Sequence, residues 1–209
     1  MAEARGRVTR GLELVSLAWV VLVVLAMLIR STYPLELEWM EGGSLHQARR
    51  VLDGEPIYAA PNLEFIPFLY TPLYPALVAL GGAVFGLSYT LARLISIFAC
   101  GLAALAIWKI VEGEGRSRTH RAVAVGLFFA GYVFAFRWLD LARNDATFLA
   151  FATWSLYWLR RSDRERDQAS SWRPALVAGV LMALAFWAKQ TASLFVIAGG
   201  LWTLRMPWR

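Results

Sequence analysis

Long apolar runs separated by clusters of arginine constrain this chain more than any other feature. The runs cover about residues 14–29, 72–88, 90–111, 122–138, 146–159, 174–188 and 191–204. A helix crossing a bilayer needs roughly 20 apolar residues, or about 17 at the short end. Charged residues make up only 17% of the chain and apolar residues 58%, whereas a soluble domain carries about 25% charged residues. The chain is therefore expected to be all-α, a polytopic transmembrane helical bundle in one domain over 1–209.

The net charge is +6, and Lys109 and Lys189 are the only lysines. The arginines flank apolar spans rather than forming a separate basic face. They point to anionic lipid headgroups and membrane orientation, and no nucleic-acid partner is expected. Cys100, the single cysteine, lies in an apolar run and reads as a small core residue. No intrachain disulfide can form.

The arginine clusters also set an expected orientation. Arg5, Arg7 and Arg10 precede the first run. Arg116, Arg118 and Arg121 fill the loop 112–121, and Arg160, Arg161, Arg164, Arg166 and Arg173 fill 160–173. The positive-inside rule places all three on the cytoplasmic side. That parity requires the run 72–88 not to cross. Pro72 and Pro75 break its entry, and Gly81, Gly82 and Gly86 loosen it. A long external loop over 30–89 is expected, carrying an amphipathic helix and a re-entrant one, followed by a short external loop near 138–145. The membrane is expected to be the plasma (inner) membrane, with the N-terminus cytoplasmic. The sign-alternating stretch Asp163, Arg164, Glu165, Arg166, Asp167 reads as a solvated loop or fraying helix end.

The first loop concentrates acids. Glu36, Glu38 and Glu41 lie within six positions, ahead of Leu45, Ala48, Val51 and Leu52 at helical spacing. Asp53-Gly54 is a helix stop. The second loop holds Arg137, Asp140, Arg143 and Asp145 between two apolar runs. Ionisable groups near the end of a span are functional candidates. The bland reading is a helix-end ion pair of Asp140 with Arg143 or Arg137. Lys189, at the expected outer end of a span, could hold a phosphate or simply anchor the interface. A carboxylate could serve as general base and a fixed cation could stabilise a leaving phosphate. His46 and His120 are too isolated to be metal ligands. The acidic pairs are compatible with Mg²⁺ or Mn²⁺, but the spacing forms no dedicated metal site.

Several segments together resemble the GT-C fold membrane glycosyltransferases, within them the protein mannosyltransferase and aminoarabinose transferase group. They are Met40-Glu41-Gly42, then Gly54-Glu55-Pro56-Ile57-Tyr58, Tyr70-Thr71-Pro72-Leu73-Tyr74-Pro75, Arg143-Asn144-Asp145-Ala146 and Lys189-Gln190-Thr191. The resemblance implies transfer of a sugar from a polyprenyl-phosphate donor to a lipid or protein acceptor on the external face. It implies Glu41 and Asp145 as the two loop acids, with Glu38 as a substitute for the first. Arg143, Asp140, Lys189 and Tyr74 would contact substrate. Where the family has an aspartate, this chain has Met40. Family members carry many more spans, so the match is to an N-terminal portion of a longer module. The competing readings are a transporter or lipid flippase component, and a truncated, non-catalytic membrane protein. A transporter predicts an internal repeat and mid-membrane charges; neither is evident.

Overall fold

The computed structural model describes residues 2–165 and 172–204, which leaves Arg166 and Asp167 of the sign-alternating stretch outside. Among the described residues every regular element is helical. The order is α1 (Ala2–Ser31), α2 (Met40–Leu52), α3 (Leu73–Phe85), α4 (Tyr89–Gly113), α5 (Arg118–Phe134), α6 (Asp145–Arg164), α7 (Trp172–Ala188) and α8 (Ser193–Leu204). Short 3₁₀ turns at Trp138–Asp140 and Gln190–Ala192 precede α6 and α8.

Helices α1 and α4 are long and apolar enough to cross a membrane, over Gly6–Ser31 and Tyr89–Gly113. At 1.5 Å per residue each reaches beyond the ~30 Å hydrocarbon core. Val15, Val21, Leu22 and Ile29 of α1 are all more than half exposed, which water would penalise and lipid does not. Helices α5, α6 and α7 are shorter and pack beside them, α1 on α5, α5 and α6 on α4, and α7 on α6. The molecule is a helical membrane bundle.

Small side chains set the helix spacing. Ala99, Ala103, Ala104, Ala146, Ala150 and Ala152 are buried between α4 and α6 and their neighbours, and Ala178 and Ala185 line the α7 face. Membrane helices associate through such close backbone approach rather than through the hydrophobic effect. Gly126 of α5 is the clearest case: a Cβ there would lie 2.9 Å from that of Ser16 on α1.

Helix α3 does not run alongside α4 to its far end. Near its start, the Tyr74 hydroxyl donates to Ala92 O at 3.1 Å. Further on, Gly81 faces Leu91 and Ile95, and only Gly86–Ser88 separate its end from α4. Gly86 makes that turn at φ 80°, a conformation that disfavours a Cβ. Ser88 then caps α4, its side chain accepting from Leu91 N at 3.1 Å.

The run expected over 122–138 ends earlier, at Phe134. Phe136 and Arg137 take φ values of 52° and 57°. Two consecutive left-handed L-residues cannot continue a helix. The chain turns instead, and Leu139, Asp140, Leu141, Ala142, Arg143 and Asn144 pack inside the molecule. Helix α2 forms where its apolar spacing and the Asp53-Gly54 stop predict, with Gly54 at φ 72°. Its buried side is formed by Met40, Glu41, Gln47 and Ala48, while Val51 and Leu52 stay exposed.

Candidate functional site

The acids of the first loop stand at the N-terminal end of α2, where its first amides lack helical partners. Glu38 Oε2 accepts from Met40 N at 3.2 Å, and Glu36 Oε2 from Gly42 N at 3.2 Å. Glu41 turns inward. Its Oε1 accepts from Arg93 Nε and Ala142 N, both at 2.8 Å. Its Oε2 accepts from Arg93 Nη2 and Leu37 N, both at 2.6 Å. Arg93, in the first turns of α4, also donates to Tyr33 O at 2.6 Å and Leu35 O at 2.7 Å. Both side chains of this pair are wholly buried. Burial alone would push the Glu41 carboxyl up; the Arg93 guanidinium and the two amides outweigh it and hold the group below its usual range.

Arg143 ties the two loops together. Its Nη1 donates to Glu38 Oε2 at 2.8 Å and its Nε to Asp145 Oδ2 at 3.0 Å. The guanidinium lies 4.2 Å from the centre of the Trp138 ring, a cation–π contact. Desolvation works against the charged form of Arg143, but Asp145 and Glu38 more than compensate and raise its pKa. Asp145 Oδ1 accepts from Lys189 Nζ at 2.5 Å. Lys189 sits in an extended residue between α7 and the turn before α8, with its ammonium 5.7 Å from the centre of the Tyr70 ring. Glu38, Arg143, Asp145 and Lys189 thus form one alternating chain of charge, largely buried but with an edge open to solvent. Met40 Sδ accepts from Arg143 Nη1 at 3.1 Å and Tyr70 Oη at 3.7 Å. Met40 therefore stands at the centre of this cluster, and Glu38 reaches in from two residues upstream to supply the carboxylate.

Tyr74 is buried beneath the cluster. Its hydroxyl contacts Ala92 O and Ser96 Oγ, each at 3.1 Å, and Ser96 Oγ donates to Arg143 O at 3.2 Å. The Tyr74 ring lines a small cavity beside Arg143. Asp140 is not part of the cluster. It pairs with neither Arg143 nor Arg137. Its partner is Arg30 at the end of α1, Nε to Oδ2 at 2.7 Å, because the left-handed turn at Phe136–Arg137 directs the 3₁₀ segment towards α1. Burial pushes the Asp140 carboxyl up in spite of that arginine.

Neither Arg93 nor Arg30 stands out in the sequence as a partner for these acids. Arg93 is a lone arginine within an apolar run, a costly placement that calls for a partner. Among the described residues no three His, Cys, Asp or Glu side chains come together as a metal site. His46 stacks edge-on against Phe65, and His120 bonds Ser117.

Gly43 permits the loop that roofs this end. A Cβ there would fall 1.7 Å from the Phe68 ring. Tyr58 Oη donates to Tyr70 O at 2.8 Å, and the Gln190 amide reaches Leu69 O. The segment before α3 is thereby fastened to α2 and to the Lys189 turn.

No curated protein and no solved structure matches the chain. A family model described as dolichyl-phosphate-mannose-protein mannosyltransferase matches residues 69–209. That region contains Tyr74, Arg93, Arg143, Asp145 and Lys189, with Glu38 and Glu41 ahead of it. The chain belongs to this family of GT-C-type membrane glycosyltransferases.

Proposed function

We propose that this chain transfers a sugar from a polyprenyl-phosphate donor to a hydroxyl or amine acceptor on the external face of the plasma (inner) membrane. The observation that carries the reading is the Arg143 clamp, which brings acids from two separate loops to one place with Lys189 beside them. Glu38 is the general base. Both of its described bonds use Oε2, which leaves Oε1 for the acceptor proton. As that proton moves to Glu38, the acceptor oxygen or nitrogen bonds to the anomeric carbon. The bond from that carbon to the phosphate oxygen breaks, and its electron pair leaves with the polyprenyl phosphate. Lys189 and Arg143 meet the charge that develops there. Lys189 has three donors and spends one on Asp145.

Asp145 fixes the two cations. Glu41, with two bonds to each oxygen and a lowered pKa, is a poor base, and its role is to anchor α2. Asp140 belongs to the α1 junction. An apolar groove of about 680 Å³ supports a prenyl-chain donor. It runs between α3, α4 and α6 and is lined by Leu80, Ile95, Thr147, Phe151 and Trp154.

The test is transfer from radiolabelled polyprenyl-phosphate sugars by the chain in proteoliposomes. Glu38→Gln should lower turnover by about 10²-fold or more, as loss of a general base does. Asp145→Asn should raise KM for the donor as well as slow turnover. Unchanged kinetics in both variants would remove the assignment.

A further inference from the structure

Beside the Arg143 clamp lies a cavity that the proposed sugar transfer leaves unassigned. It is lined by Ser44, Gln47, Tyr70, Tyr74, Arg143 and Asn144 among others, and its volume is about 10 Å³. That is room for one water molecule or one hydroxyl group. Two of its lining side chains are buried and hold a hydrogen-bonding atom with no partner: Gln47 Nε2 and Asn144 Oδ1. Gln47 is 2% exposed and Asn144 3%. Buried amides are almost always satisfied, and an orphaned one calls for a reason.

The two orphans are complementary to each other's function. Asn144 Nδ2 donates to Ala188 O at 2.9 Å, which fixes the amide and leaves Oδ1 as an acceptor. Gln47 Nε2 can only donate. One hydroxyl can accept from Gln47 Nε2 and donate to Asn144 Oδ1. A phosphate or carboxylate oxygen would be repelled by Asn144 Oδ1, and an ammonium by the Gln47 donor and by Arg143.

We propose that this cavity is a hydroxyl subsite, in which Gln47 Nε2 donates to, and Asn144 Oδ1 accepts from, one hydroxyl of the donor sugar or of the acceptor. The proposal rests on the glycosyltransferase reading. Arg143 lines the cavity and clamps Glu38 and Asp145, so a hydroxyl held there lies next to the reacting groups. Gln47 and Asn144 are positioning residues that select for substrates carrying that hydroxyl.

The experiment uses the full chain in proteoliposomes, with polyprenyl-phosphate mannose, glucose, galactose and 4-amino-4-deoxyarabinose as donors and a serine-containing peptide as acceptor. Gln47→Met removes the orphan donor at similar volume. Its thermal unfolding midpoint should stay level or rise, because no protein bond is lost. Its kcat/KM should fall about ten- to a hundredfold with the preferred donor. Gln47→Glu, which replaces the donor by an acceptor, should show the same loss. If the hydroxyl belongs to the sugar, one monodeoxy donor reproduces the loss in the wild type, and Gln47→Met adds nothing further to it. If it belongs to the acceptor, the loss appears in the peptide KM while donor hydrolysis is unchanged. Unchanged kinetics in both variants would mean that the cavity holds a resident water only, and would overturn the subsite alone. A fall in activity matched by a fall in midpoint would make Gln47 structural and also overturn it. A wild type that uses none of the donors would remove the glycosyltransferase reading, and the subsite with it.

Discussion

Arg93 grips Glu41 through two N–H···O bonds of 2.8 and 2.6 Å, with both side chains closed off from solvent. The pair joins the start of α4 to the start of α2, and the same guanidinium holds the backbone leading out of α1. Removing one partner would strand a buried charge. Arg93→Met is therefore expected to lower stability by about 3–5 kcal/mol. The double substitution Arg93→Met with Glu41→Leu should recover much of that loss, since two apolar groups need no counter-charge. A double-mutant cycle on thermal unfolding in detergent measures the coupling. Simple additivity would show that the pair does not act as a unit.

The same pair sets an acid limit. The folded pKa of Glu41 lies below the usual 4.5. Its contribution to stability is fully present above that value and is lost as pH falls through the folded pKa. The wild type should lose more midpoint than the Arg93→Met, Glu41→Leu double variant on acidification from about pH 6 to about pH 3. Parallel curves would contradict this.

Gly43 has no room for a side chain because the Phe68 ring occupies the space. Gly43→Ala should displace the loop over 61–70 and cost about 1–3 kcal/mol, as overpacking does. Limited proteolysis should cut that loop faster in the variant. Phe68→Leu in the same background should restore part of the protection. Equal cleavage rates in Gly43→Ala and wild type would count against the close packing.

Orientation can be read by labelling. In a Cys100→Ala background, Leu63→Cys should react with an impermeant thiol reagent applied outside. Ser117→Cys, at the opposite end of the bundle, should react only after permeabilisation. The reverse pattern would place the charge cluster on the cytoplasmic side.

The helices were largely legible because lipid imposes a simple rule, long apolar runs broken by charge. Helix α2 was legible from its acids, its spacing and its stop at Gly54. The early end of α5 was not, because nothing in Ala135-Phe136-Arg137 announces a left-handed turn. Loop composition and resemblance point to Glu41, with Glu38 behind it, as the first-loop acid beside Asp145 and Lys189; in the structure Glu38 joins them through Arg143, and Glu41 pairs with Arg93 instead. The partners were not legible. Asp140 and Arg30 are 110 positions apart, and Arg93 reads locally as part of a span. Local periodicity records which face is apolar, but not which distant charge will meet a given acid. Gln47 and Asn144 were overlooked for a related reason: a neutral amide carries no charge signal, and its lack of a partner is visible only in three dimensions.

The Ala142 amide that bonds Glu41 has a consequence in time. It lies 101 residues downstream of that acid, and Arg93 lies 52 downstream. At a translation rate of about 5–20 residues per second, Arg93 arrives roughly 3–10 seconds and Ala142 roughly 5–20 seconds after Glu41 is made. During that interval the young loop has neither of its clasps. Glu38 and Glu41 can take their final places only after α5 and the turn beyond it have left the ribosome.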